Sequence, residues 1–220
     1  MSLHIKNSLK RYLKLLLFLT SPKKQKWFHD FNFDIMQPLP PNASSKLRFV
    51  LDVLQSEIKH FRISDGTLLG IYRDGKLIAH DNDFDFDLEY SDYNLKKIRK
   101  LAHSQSWTLG RHVKYHGITQ QLTYYDIDYV LFDFIFWRSD DLFSINFSEP
   151  NKFRIMPRDF LHNLKLEYFS EVGTQVKLPN KVADWAVYRY GHSWNVPETS
   201  KGDWTETCGD LGVAWWIDRA

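Results

Sequence analysis

From Asp83 to Leu88 acidic and apolar residues alternate without a break, as Asp83-Phe84-Asp85-Phe86-Asp87-Leu88. Successive side chains of an extended chain point to opposite faces. The pattern therefore predicts a half-buried strand, with Asp83, Asp85 and Asp87 on one face and Phe84, Phe86 and Leu88 on the other. Burying the phenylalanine face requires other elements to pack on it. The opposite face must either meet water or find something that neutralises a row of carboxylates.

The flanking sequence supplies the packing partners. Leu47, Val50, Leu51, Leu54 and Ile58 recur at helical spacing and predict a helix over 44–60. A short strand follows over 61–64, then a short helix over 66–73, entered through a glycine turn and closed by the turn at Asp74-Gly75. Leu95, Ile98, Leu101 and Ala102 mark the inward face of a helix over 91–106. Three strands are expected over 107–115, 118–125 and 127–137, joined at His116-Gly117 and at Asp126. The last is nearly all apolar, so Asp133 in its middle is conspicuous. Short strands are expected up to Leu178, then a helix over 180–190 stopped by Gly191. Elements mixed in this way imply an α/β (α+β) domain built on one mixed sheet flanked by helices.

With 220 residues, 43% of them hydrophobic, the chain can bury one substantial core, and a single globular domain over 44–200 is expected. Before it, Ile5, Leu9, Leu13 and Leu16 share one face of a basic amphipathic helix over 1–20. Such a helix can lie on an anionic membrane surface or pack on its own domain or a partner. Its apolar run is too short to span a bilayer. Residues 21–43, rich in Lys, Asn and Pro, read as a linker, and 201–220 as a Trp-rich tail. The 29 basic and 27 acidic residues nearly cancel, so no nucleic-acid partner is implied. A lone cysteine, Cys208, rules out an internal disulfide and fits a reducing, cytoplasmic setting.

Hard divalent cations of the magnesium type are held by oxygen ligands, usually one or two carboxylates completed by water and substrate phosphates. Asp83 and Asp85, two residues apart on a strand, with Asp133 entering from a neighbouring strand, match that demand. By spacing alone, a solvated strand edge is about as good a reading. An EF-hand loop fits worse, because Phe86 stands where that loop needs glycine. Upstream, Ser64-Asp65-Gly66-Thr67 puts a glycine and a hydroxyl at a strand-to-helix junction, where backbone N–H groups favour phosphate. Arg73, at the end of the short helix, is a candidate phosphate partner.

Taken together, the run from Asp65 to Asp85 resembles the LicD/fukutin family. That family's pattern is roughly G-T-L-L-G-x-x-R, a short gap, then I-P-W-D-x-D-hydrophobic-D. Here Ala79 and His80 replace the usual Pro and Trp, and Asp87 is additional. The stretch Tyr190-Gly191-His192-Ser193-Trp194-Asn195-Val196-Pro197 is similar to the family's Y-G-x-x-W-x-x-P. The resemblance implies a nucleotidyltransferase-like fold. It also implies transfer of phosphocholine, ribitol phosphate, glycerol phosphate or a related alcohol phosphate from a CDP-alcohol to a glycan or glycolipid hydroxyl. By the same carry-over Asp81, Asp83, Asp85 and Asp133 would hold Mg2+ or Mn2+, with Asp83, Asp85 and Asp133 catalytic. Gly66, Thr67 and Arg73 would contact the donor phosphates, in a setting of polysaccharide, capsule or lipopolysaccharide modification at the inner face of a membrane. Nucleotidyl transfer from an NTP, and an inactive glycan- or membrane-binding module, are the competing readings.

Overall fold

The computed structural model describes residues 26–29, 38–147, 152–197 and 215–216. The helix expected over 1–20, most of the linker expected over 21–43 and most of the tail lie outside them. Part of the presumed linker is sheet: β1 (Lys26–His29) pairs antiparallel with β4 (Thr108–Tyr115). The domain proper begins at α1 (Ala43–Glu57), whose Leu47, Val50, Leu51 and Leu54 are buried along one face, as their spacing predicts. Next come β2 (Phe61–Ile63), α2 (Asp65–Asp74), β3 (Asp83–Glu89) and α3 (Asp92–Ser104). The Ser91 hydroxyl caps α3 by accepting from the Asn94 N–H at 3.0 Å.

β4 and β5 (Ile118–Tyr125) form a hairpin that leads into β6 (Leu131–Ser139). Beyond it lie β7 (Phe143–Asn146), β8 (Lys152–Pro157), the one-turn helix α4 (Asp159–His162), β9 (Leu164–Phe169), β10 (Thr174–Pro179), α5 (Val182–Tyr190) and β11 (Trp215–Trp216). One mixed sheet runs β1-β4-β5-β6-β7-β8-β11, and β3 pairs with both β6 and β2. The pairing of β3 with β6 is parallel and the others are antiparallel. β9 and β10 form a separate hairpin. The fold is thus the mixed α/β arrangement expected, with helices flanking a mostly antiparallel sheet.

Two expectations need correction. The strand foreseen over 127–137 starts only at Leu131, because Asp126 builds a turn in front of it. The Asp126 Oδ1 accepts from the N–H groups of Asp128 (2.9 Å) and Val130 (3.1 Å), which withdraws those donors from any strand ladder. The second correction concerns β3, which is not half-buried. Paired on both edges, it is buried on both faces over Phe84 to Leu88, so the solvated-edge reading of its acids fails.

The apolar face of β3 behaves as the alternation requires. Parallel register sets Phe84 beside Phe132, Phe86 beside Phe134 and Leu88 beside Phe136. The Phe86 and Phe134 rings stack at 5.2 Å, and Trp107 stacks on Phe132 at 4.1 Å. All five phenylalanines are essentially inaccessible, and burial of each such side chain contributes roughly 1.5–3 kcal/mol. This aromatic ladder anchors the two acid-bearing strands to each other.

Close packing also fixes the helix that precedes the acids. A Cβ added at Gly70 would lie 2.8 Å from the Lys76 carbonyl oxygen and 3.0 Å from the Ile78 nitrogen, so α2 packs directly on the returning backbone. Gly70→Ala is expected to destabilise the protein by about 1–3 kcal/mol. The measurement is the urea midpoint, and an unchanged midpoint would mean that the return can shift at no cost. Among the described residues, no helix is long and apolar enough to cross a membrane.

Candidate active site

The parallel pairing of β3 with β6 places Asp85 directly beside Asp133, with Asp83 one alternation earlier on the same face. One carboxylate oxygen from each of Asp83, Asp85 and Asp133 lies within 4.8 Å of the other two. Asp133 is held from β5, where the Thr123 hydroxyl donates to its Oδ1 and the Gln121 amide to its Oδ2 at 3.0 Å. Among the described residues, no donor reaches the Asp85 carboxylate, and its position is set through the backbone instead. Its carbonyl oxygen accepts from the Ser64 N–H at 2.9 Å, and its N–H donates to the Thr67 hydroxyl at 2.9 Å. The strand-to-helix turn thus clamps the middle of the acidic strand.

That turn also brings Asp81 to the site. A Cβ on Gly66 would stand 2.6 Å from Asp81 Oδ2, so only glycine allows the carboxylate to approach the first turn of α2 this closely. Asp81 stands beside Asp83, and the two carboxyl groups act on each other electrostatically. Ser64 is of the type that normally caps a helix, yet it makes no cap bond; its hydroxyl donates to Asp87 at 2.8 Å. The N-terminal N–H groups of α2 are therefore without a side-chain cap, beside the acid cluster. Gly66 lies in this first turn, and Thr67 is buried with its hydroxyl oxygen committed to Asp85.

Burial pushes the Asp83 carboxyl well above the usual range, reinforced by Asp81 and Asp133. Asp85 is raised likewise, by burial first and then by Asp83 and Asp65. Burial also raises Asp81 and Asp133, the latter in spite of the opposing pull of Arg111. Mutually repelling buried carboxylates are what a cation relieves, and an all-oxygen donor set suits a hard ion such as Mg2+ or Mn2+. Asp83, Asp85 and Asp133 fit such an ion, whereas Asp81, expected as a fourth ligand, lies outside the group whose oxygens fall within 4.8 Å of one another.

Two acids of this region do other work. Asp87 shares the carboxylate face but is sealed, 1% exposed, against Arg62 at 2.5 Å and the Trp137 indole N–H at 2.6 Å. Asp65, the first residue of α2, has a left-handed backbone (φ 38°), rare outside glycine although Asp tolerates it. Its carboxylate takes Arg189 Nε at 2.6 Å on one oxygen and Arg154 Nη1 at 3.3 Å on the other. Burial alone would raise Asp65, but Arg189 and Arg154 outweigh it and hold the group well below the ordinary range.

The sequence-predicted residues therefore divide. Asp81, Asp83, Asp85 and Asp133 come together with Gly66 and Thr67. Arg73 pairs its guanidinium with the adjacent Asp74, at 2.8 Å from Nη2. Arg154 and Arg189 were not foreseen from sequence. Arg189 had a faint signal in preceding the Tyr190-Gly191 motif, and Arg154, in an unremarkable stretch of β8, had none. Trp194 of the Tyr190–Pro197 motif stacks on Tyr72 at 5.4 Å and packs against the core.

Against known families, residues 59–181 match the family described as LicD/FKTN/FKRP, nucleotidyltransferase domain. Curated proteins provide no match. Among solved structures, the chain is similar to the lincosamide antibiotic adenylyltransferase LnuA in its lincomycin-bound form. The identity is 15% and the TM-score 0.45, over 64% of this chain and 82% of that one.

Proposed function

The chain belongs to the LicD family, and from that premise we propose a divalent-metal-dependent phosphotransferase acting on a CDP-alcohol. It would move phosphocholine, ribitol phosphate, glycerol phosphate or a similar group to a glycan hydroxyl. The observation that carries this reading is the convergence of Asp83, Asp85 and Asp133, within 4.8 Å, beside an uncapped helix N-terminus.

In this reading an acceptor hydroxyl oxygen bonds to the phosphorus that carries the small alcohol. The bond from that phosphorus to the bridging oxygen breaks, and CMP leaves. Mg2+ or Mn2+ held by Asp83, Asp85 and Asp133 would polarise phosphoryl oxygens and offset the charge developing on the leaving group. The chain's own contribution is positioning. Thr123 and Gln121 fix Asp133, Ser64 and Thr67 fix the Asp85 backbone, and Gly66 admits Asp81. Asp85 Oδ accepts the hydroxyl proton, since among the described residues no side chain donates to it, whereas both Asp133 oxygens already accept bonds. The N–H groups at the start of α2 would receive phosphate oxygens. A basic segment over 1–20 would suit a cytoplasmic enzyme working on a glycolipid at the inner face of a membrane.

The test offers the protein CDP-choline, CDP-glycerol, CDP-ribitol and NTPs, with and without glycan acceptor. The expected result is acceptor-stimulated CMP release from one CDP-alcohol, abolished by EDTA and restored by Mg2+ or Mn2+. Pyrophosphate release from an NTP would replace the proposal with nucleotidyl transfer. Neither reaction, together with no metal binding, would indicate an inactive binding module.

A further inference from the structure

A diphosphate donor brings negative charge to a site that already gathers several carboxylates, so cations supplied by the protein are needed beside any metal. Arg73, the guanidinium foreseen for this part, is turned to Asp74. Arg62 is spent on Asp87 inside the core. Two other guanidinium groups reach the catalytic end of α2 from distant parts of the chain, Arg154 from β8 and Arg189 from the last turn of α5. Asp65 grips both, one on each oxygen, and it adjoins Gly66, which touches Asp81. Arg154 is also near enough to act electrostatically on Asp133.

We propose that Arg154 and Arg189, set side by side by Asp65, bind the phosphate oxygens of the donor, and that Asp65 is the positioning residue that presents them. This rests on the reading of the protein as an enzyme acting on a diphosphate-bearing donor, and on nothing finer about the group transferred. Both side chains retain 13% of their exposure, unlike the sealed Arg62, so they are reachable. Each guanidinium lies against an aromatic ring, Arg154 at 5.2 Å from the Trp137 centroid and Arg189 at 5.4 Å from that of Tyr190. These platforms restrict the forks to few orientations, which favours bidentate binding of phosphate oxygens. The left-handed backbone of Asp65 is a local cost of the kind that collects at functional positions.

Arg154→Gln, Arg189→Gln and Arg189→Lys test the assignment in the full chain. Inorganic pyrophosphate in the presence of Mg2+, titrated calorimetrically, is the first probe, because it carries the diphosphate common to CDP-alcohols and NTPs. Each Gln variant should weaken pyrophosphate binding about ten- to a hundredfold, the value of losing a hydrogen bond to a charged group. Arg189→Lys, which keeps the charge on Asp65 but loses the fork, should fall between Arg189→Gln and wild type. With the active donor, KM should rise by a similar factor while kcat changes less. A merely structural role would lower the thermal midpoint and the active fraction, hence apparent kcat, with KM and pyrophosphate affinity unchanged; that outcome overturns the proposal. Failure of wild type to release CMP would overturn the CDP-alcohol reading instead, and the pyrophosphate titration would still decide the role of the arginines.

Discussion

Asp85→Asn is expected to lower CMP release by at least about a thousandfold, since one substitution removes both a metal ligand and the proton acceptor. The distinctive part of the expectation is what happens to stability. Burial, then Asp83 and Asp65, push the Asp85 carboxyl well above the usual range, so folding favours its protonated form. A carboxyl raised in this way contributes stability that is fully present below its unfolded-state pKa. The contribution is lost as pH rises through the raised folded value. At neutral pH in EDTA the wild-type protein therefore carries a penalty that asparagine does not. The variant should unfold at the same temperature as wild type or higher, and the difference should shrink when Mg2+ is added to wild type. Normal turnover in Asp85→Asn would sink the catalytic reading, and a large drop in its melting temperature would mean the carboxylate is held by favourable partners.

The second large effect is expected one alternation further along the same strand. Arg62 and Asp87 are each 1% exposed and 2.5 Å apart, and Asp87 also receives the Ser64 hydroxyl and the Trp137 indole. Arg62→Met leaves the Asp87 charge buried without its partner, which typically costs about 3–5 kcal/mol. Urea unfolding of Arg62→Met, Asp87→Leu and the double variant should give a double variant less destabilised than the sum of the singles. Strict additivity would show that the two groups do not depend on each other. Activity separates this pair from the metal acids: whatever fraction of Arg62→Met remains folded should still bind Mg2+. Asp85→Asn should stay folded and bind it weakly.

Several parts of this molecule were readable before any coordinates. The alternation of Asp83 to Leu88 specifies a strand and its two faces, because side-chain direction in an extended chain is a local property. The helices that became α1 and α3 follow from apolar spacing, which is equally local, and the family was legible in the Gly66 to Asp85 run. Local rules could not say that β3 lies between two other strands. Sequence left the acids an even choice between a solvated edge and a metal site, and pairing with β2 and β6 removed the first option, because β3 has no free edge and is buried over Phe84 to Leu88.

Residues of identical type in one strand parted company for the same reason. Asp83, Asp85 and Asp87 share a face by sequence, but Arg62 on the neighbouring β2 neutralises only Asp87, and this leaves the first two to Asp133. Arginine roles were decided in the same way. Arg73 had the right place in the motif, yet Asp74 is its immediate neighbour and takes its guanidinium, whereas Arg154 and Arg189 arrive from segments 89 and 124 residues beyond Asp65. The sequence by itself determined which residues alternate, which helices are amphipathic and which acids are available. Only the tertiary structure decided which charges are paired off and which remain unneutralised, because charge pairing depends on distances that chain folding, not sequence spacing, sets.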